Sequence, residues 1–261
     1  MTPSVSIVVI FGAVILLTVS AIVWALAKKR KRAVAMAEAA VRIGFSFGGD
    51  ARAFLREGIT DVPLFGLTEL GHFEITNLMR GVIGADSVVI CDYHYWTGSS
   101  SGGGTRFDHA QTVFCFELKG TRLPDFSLAP RVRVAERRIF NLVARLAGIP
   151  ATMFSPLMGG ARADVFKRIV ATAADPGIEL AGHPDFSARF QLQVADNQTA
   201  KAVFSARVVE ALERQPELSF SIQKSGTWLV VYRKNTLVKP EELGNALNES
   251  LCIRALFRSG A

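Results

Sequence analysis

Residues 86–118 read DSVVICDYHYWTGSSSGGGTRFDHAQTVFCFEL. The two arms, DSVVICDYHYW and RFDHAQTVFCFEL, are dense in β-branched and aromatic residues, whereas TGSSSGGGT between them has no charge and no helix former. Two strands joined by such a loop predict a long antiparallel hairpin. If Thr97 pairs with Thr105, His94 lies opposite Asp108 and Tyr93 opposite His109. Side chains alternate along a strand, so Asp92, His94 and Asp108 then share one face and His109 points away.

The β character extends outward from this hairpin. From Leu64 onward, GHFEITNLMRGVIG alternates apolar positions and is broken by glycine. LPDFSLAP, residues 123–130, reads as a Pro-bracketed edge segment. Arg131 to Ala147 places Ile139, Leu142, Val143 and Leu146 on one helical face, and Asp164 to Ala174 reads as a further short helix. PDFSARFQLQVAD predicts a strand, and Asn197 to Arg214 a helix with Ala200, Val203, Phe204, Val208 and Leu212 inward. ELSFSIQKSGTWLVVYRKN predicts a second hairpin turning at Ser225-Gly226, and Pro240 opens a last helix carrying Leu243, Leu247, Leu251 and Leu256. Strand, helix, hairpin and helix together define an α+β class, antiparallel hairpins packed with helices.

The N-terminus differs in kind. VSIVVIFGAVILLTVSAIVWALA, residues 5–27, has no charge, and KKRKR follows at 28–32. At ~1.5 Å rise per residue such a helix is about 35 Å long, against a hydrocarbon core of about 30 Å, and predicts a transmembrane helix. Ala25-Leu26-Ala27 resembles a signal cleavage site, but no basic residue precedes the apolar run and a basic cluster follows it, which favours a retained anchor. Positive charge stays inside, so a single-pass arrangement is expected, with the short N-terminus outside and residues 28–261 cytoplasmic. Ala33 to Val41 continues as helix, Gly48-Gly49 breaks it, and Asp50 caps a short helix through Arg56. The expected organisation is therefore 1–4 outside, 5–27 in the bilayer, 28–62 a basic juxtamembrane and helical stalk, 63–130 a β-rich subdomain and 131–261 an α+β subdomain.

Charge and cysteine usage narrow the function. The chain carries 30 Lys and Arg against 23 Asp and Glu. Without the five of KKRKR the remaining 25 leave +2, so the body is nearly neutral and no nucleic-acid partner is expected. Lys28, Lys29, Arg30, Lys31 and Arg32 are the lipid-proximal basic residues, each worth about 1 kcal/mol beside anionic lipid. Cys91, Cys115 and Cys252 are odd in number and widely spaced, which fits buried apolar thiols.

Candidate chemistry concentrates on the hairpin. Gly98-Ser99-Ser100-Ser101-Gly102 satisfies G-x-S-x-G, but a nucleophile elbow needs a helix after the serine, and here a strand follows. Asp92, His94 and Asp108 have the chemistry to ligate a divalent cation; the competing reading is a cross-strand His–Asp hydrogen bond with Asp92 facing solvent. Tyr93, Tyr95, Trp96 and Phe107 read either as a recognition surface or as core aromatics, the second being favoured. Gly159-Gly160, near Lys167 and Arg168, lacks the G-K-[ST] of a phosphate loop and reads as a plain loop. His72 and His183 read as turn residues. No catalytic residue, metal site or cofactor is expected, and Asp92, His94, Tyr95, Trp96 and Asp108 stand as the candidate surface.

Several short motifs occur together: Asp92-Tyr93-His94-Tyr95, Gln111-Thr112-Val113, Leu123-Pro124-Asp125-Phe126-Ser127-Leu128-Ala129-Pro130, and the hairpin around Trp228 to Arg233. With the N-terminal apolar run, they resemble a group of uncharacterised bacterial single-pass membrane proteins. That resemblance implies bacterial origin and a membrane anchor, hence a location in the bacterial inner membrane with the C-terminal domain cytoplasmic, and it implies no activity. The expected function is a membrane-anchored cytoplasmic binding or scaffold domain, non-catalytic, whose partners are the lipid bilayer and a membrane or cytoplasmic protein. The alternatives are a hydrolase or metal-dependent enzyme centred on residues 92–109, and an anionic-lipid-responsive module using KKRKR.

Overall fold

The computed structural model describes residues 3–66, 73–97, 107–121, 123–131, 177–180, 182–214 and 219–258, with side chains of the first helix described from Ile15. The first helix, α1, runs Pro3–Arg42. It ends where Gly44 adopts φ +77°. The Phe45 N–H donates to Ala40 O at 2.8 Å and the Gly44 N–H to Val41 O at 3.1 Å, a Schellman closure. Helix termination therefore falls at Gly44 rather than at Gly48-Gly49, because a left-handed residue satisfies the last carbonyls there.

Eight strands among the described residues form one antiparallel sheet. They are β1 (Ser46–Phe47), β2 (Phe73–Ile83), β3 (Asp86–Thr97), β4 (Phe107–Glu117), β5 (Phe126–Pro130), β6 (Phe190–Val194), β7 (Phe220–Ser225) and β8 (Trp228–Arg233). Their order is β1-β2-β3-β4-β8-β7-β5-β6. Both expected hairpins form, β3–β4 and β7–β8, and β4 pairs with β8 to join them. The α+β class and its antiparallel hairpins are thus as the residue pattern predicts.

Both faces of the central strands are covered, which explains why β3 and β4 read as nearly continuous apolar runs. On one face, Val88, Ile90, Phe114 and Phe116 belong to the larger core with Met36, Ala39 and Ala40 of α1. That core also takes in α4 (Pro184–Arg189), α5 (Asn197–Val203), α6 (Ala206–Glu213) and α7 (Leu243–Arg258). On the other face, Val89, Cys91, Tyr93, Val113 and Cys115 pack with α2 (Ala51–Arg56), a 3₁₀ turn at Ile59–Asp61, and α3 (Pro63–Gly66). Trp228 anchors this second layer: its indole N–H donates to Glu57 O at 3.0 Å and its ring meets Phe54 edge-on at 5.9 Å. Asp50 caps α2, accepting from the Arg52 N–H at 2.8 Å, as expected of an Asp before a helical run.

Three local expectations change. PDFSAR opens as helix α4, with Pro184 in its first turn, and only Phe190 onward is strand. The Asn197–Arg214 helix is split at Phe204-Ser205, where Ser205 has an extended ψ of 159° and Phe204 is buried. Strand β5 lies between β7 and β6 rather than at an edge; its prolines stand before and at its end, leaving the residues between them free to pair on both sides.

The expected transmembrane helix is not supported. Among the described residues no helix is long and apolar enough to cross a membrane. The single-pass inner-membrane location, with its cytoplasmic C-terminal domain, is corrected along with it. The expected helix at 131–147 beyond Arg131, the expected helix at 164–174, the Ser100 loop, Gly159-Gly160 and His72 lie outside the described residues.

Candidate functional site: a saturated carboxylate between helix and sheet

Asp92 is the polar residue around which the first helix docks. Its strand is covered on both sides, and its side chain is fully buried. An isolated carboxylate there would be strongly destabilising, so each lone pair needs a donor. Arg32 supplies two: Nε donates to Oδ2 at 2.8 Å and Nη2 to Oδ1 at 3.0 Å. Asn77 Nδ2 donates to Oδ2 at 2.7 Å, and the Thr112 hydroxyl to Oδ1 at 2.7 Å. Two donors per oxygen use the acceptor capacity of the group.

Backbone closes the ring. Arg32 Nη2 also donates to Val238 O at 3.0 Å, and the Val238 N–H donates to Thr112 Oγ1 at 2.9 Å. Arg32, Asp92, Thr112 and Val238 are therefore linked in a closed cycle that ties α1, β3, β4 and the segment before α7. Asn77 reaches the carboxylate because β2 carries a bulge there. The pairing jumps from Thr76 opposite Asp92 to Met79 opposite Ile90, and Asn77 takes a left-handed φ of +51°. Asn tolerates that conformation better than most residues, and the bulge re-aims its amide.

One turn earlier on α1, Lys29 Nζ donates to both Glu74 oxygens at 3.1 and 2.9 Å on the exposed rim. His94 pairs with Glu74 across β2–β3 and is half-buried. Burial is the main influence on its imidazole and lowers its pKa; Asp92 and Glu74 act the other way, and Lys29 and Arg32 reinforce the lowering.

The remaining candidate residues separate along and across the hairpin. Thr97 pairs with Phe107, Trp96 with Asp108, Tyr95 with His109 and His94 with Ala110, a two-residue slip from the expected register. A slip of two keeps every side chain on its expected face. Asp92, His94 and Asp108 do share a face, but Asp92 is buried and Asp108 is exposed, four residues apart along the ladder through Thr112. Asp92 does not face solvent, and no cross-strand His94–Asp108 pair forms, since each lies opposite another residue. Tyr95 and Trp96 point to opposite faces. The Tyr95 ring stacks on His109 at 4.7 Å and lies 5.5 Å from Tyr93; burial pushes its hydroxyl pKa up to about 12. His109 Nδ1 lies 2.9 Å from Asn235 Oδ1.

This arrangement positions; it does not supply a base or a ligand set. Removing Asp92 from its donors would leave a guanidinium stranded beside it. Among the described residues no group of three His, Cys, Asp or Glu could hold a metal ion. Cys91 and Cys115 are buried, and burial raises both thiols above their ordinary pKa, which suppresses thiolate chemistry.

Arg32, Asn77, Thr112 and Val238 were not readable as partners of Asp92. The available signal was Asp92 itself, an acid between Cys91 and Tyr93 in a strand apolar on both sides, which requires a donor from elsewhere. No protein-family model, no curated protein and no solved structure matches this chain. The resemblance to the group of single-pass proteins therefore rests on the quoted motifs alone.

Proposed function

We propose that this protein is a non-catalytic binding domain, its antiparallel sheet serving as a platform to which α1 is locked. The observation that supports this reading is the saturation of Asp92: the acidic residue best placed for chemistry on the hairpin is consumed by four hydrogen bonds from the side chains of Arg32, Asn77 and Thr112. The half-buried Tyr95, stacked on His109, offers an aromatic side chain whose rigidity suits protein recognition. Trp96 lies on the opposite face and belongs to a different surface.

The test is quantitative affinity capture with the full chain, comparing wild type, Tyr95→Ala and Trp96→Ala. A partner recovered by wild type should fall at least about tenfold with Tyr95→Ala, equivalent to about 1.4 kcal/mol, while the thermal midpoint is kept. Equal recovery by all three folded proteins would remove the Tyr95 surface. Turnover of an activated ester that disappears with Ser100→Ala would instead establish the hydrolase alternative.

A further inference from the structure

The basic run at the middle of α1 is divided by the fold into two sets. Lys29 and Arg32 are engaged by Glu74 and Asp92. Lys28, Arg30 and Lys31 are exposed, and Lys28 Nζ sits 5.4 Å from the centre of the Trp24 ring. Ahead of them the helix leaves the body with its apolar side chains uncovered, from Val19 at 51% exposure to Leu17 at 70%. These side chains are not confined to one stripe: Ile15, Val19, Ile22 and Leu26 follow one side, whereas Leu17 and Trp24 lie across the helix from them.

We propose that this projecting end of α1 is a docking element for an anionic lipid surface, with Lys28, Arg30 and Lys31 contacting headgroups and the apolar residues from Ile15 to Leu26 entering the acyl boundary. Two observations select that occupant. A second copy or a partner helix would cover one side of α1 and leave Leu17 and Trp24, or Ile15 and Leu26, in water. A cationic set immediately behind an apolar one also matches the order of acyl chain and headgroup, with Trp24 at the boundary between them. The stretch from Ile15 to Leu26 is about 17 Å long, so such contact reaches into one leaflet and requires no crossing. It goes beyond the hairpin reading and uses none of its residues, so either can fail alone.

The structure also predicts which charges matter. Each exposed cation contributes about fivefold to partition onto an anionic surface, so losing three lowers it about a hundredfold. The paired cation Lys29 contributes little. The experiment is co-sedimentation of the full chain with vesicles of phosphatidylcholine alone or with 30% phosphatidylglycerol, at low and high salt. Wild type should bind the anionic vesicles, release in high salt, and show a Trp24 emission shift that is absent in Trp24→Phe. The combined variant Lys28→Gln, Arg30→Gln, Lys31→Gln should lose about a hundredfold, while Lys29→Gln stays within about threefold of wild type. No binding, equal binding to neutral vesicles, or equal binding by the triple variant overturns the proposal. So does lipid-independent self-association abolished by Leu17→Ser, which would identify a second copy as the occupant. The three replaced side chains are exposed, and an unchanged circular dichroism spectrum confirms that the variant is folded.

Discussion

Within α1, the run from Ile15 to Ala27 and the run from Ala33 to Val41 are both uncharged or nearly so, yet their surroundings are opposite. Ile15, Leu17, Ile22 and Leu26 are more than half exposed, whereas Met36, Ala39 and Ala40 are buried against the sheet. The more hydrophobic half is the one the fold leaves uncovered. Hydrophobicity thus does not decide which part of the helix docks. Small residues at Ala39 and Ala40 let the backbone approach the sheet closely, and Arg32 fixes the docked segment by entering a polar ring that only one position on the helix can fill.

The sharpest way to break that contrast is at Asp92. Asp92→Ala removes the four-donor acceptor and leaves Arg32 without its counter-ion, so unfolding in urea should show a loss of roughly 3–5 kcal/mol. Arg32→Ala should cost a similar amount, because it strands a buried carboxylate. The double variant Arg32→Met, Asp92→Leu should recover more than half of the loss, since an apolar pair of similar volume avoids both desolvation costs. Strictly additive losses in the double variant Arg32→Ala, Asp92→Ala would show that the ring does not act as a unit.

A smaller effect should come from His94 at the rim of the ring. Its folded-state pKa is lowered, chiefly by burial, so the unfolded chain binds the proton more readily than the folded one. Stability attributable to this group is then full above the ordinary histidine value and declines as pH falls through it. A thermal midpoint series between about pH 7.5 and 5.5 should slope downward on acidification, and more shallowly in His94→Gln. An identical slope in the variant would assign the decline to other groups. The smallest effect belongs to the projecting half: Ile22→Ser should leave stability within about 0.5 kcal/mol, because that side chain contacts no core. A loss of more than about 1 kcal/mol would mean that the exposed half is packed.

Legibility followed the range of the interactions. The β3–β4 and β7–β8 hairpins were readable because strand period, β-branched residues and a glycine-rich or Ser-Gly turn are all local. The face shared by Asp92, His94 and Asp108 was readable for the same reason, although the pairing itself slid by two residues. The start of α4 was misread because Pro184 and a short polar stretch before Phe190 carry no strong periodicity. The ring at Asp92 was hidden, since it joins residues 32, 77, 92, 112 and 238, whose proximity depends on the whole sheet.

What the residues determined alone was an α+β chain with antiparallel hairpins, a nearly neutral body and a helix that carries an apolar run followed by five cations. These are properties of neighbours along the chain, set by side-chain period, turn geometry and charge counting. Tertiary structure alone decided that Arg32 and Lys29 belong to the sheet while Lys28, Arg30 and Lys31 face outward, and that Asp92 is a structural anchor. A helix brings a new side chain round every 100°, so adjacent cations in KKRKR are assigned opposite roles by a docking angle that no stretch of neighbouring residues specifies.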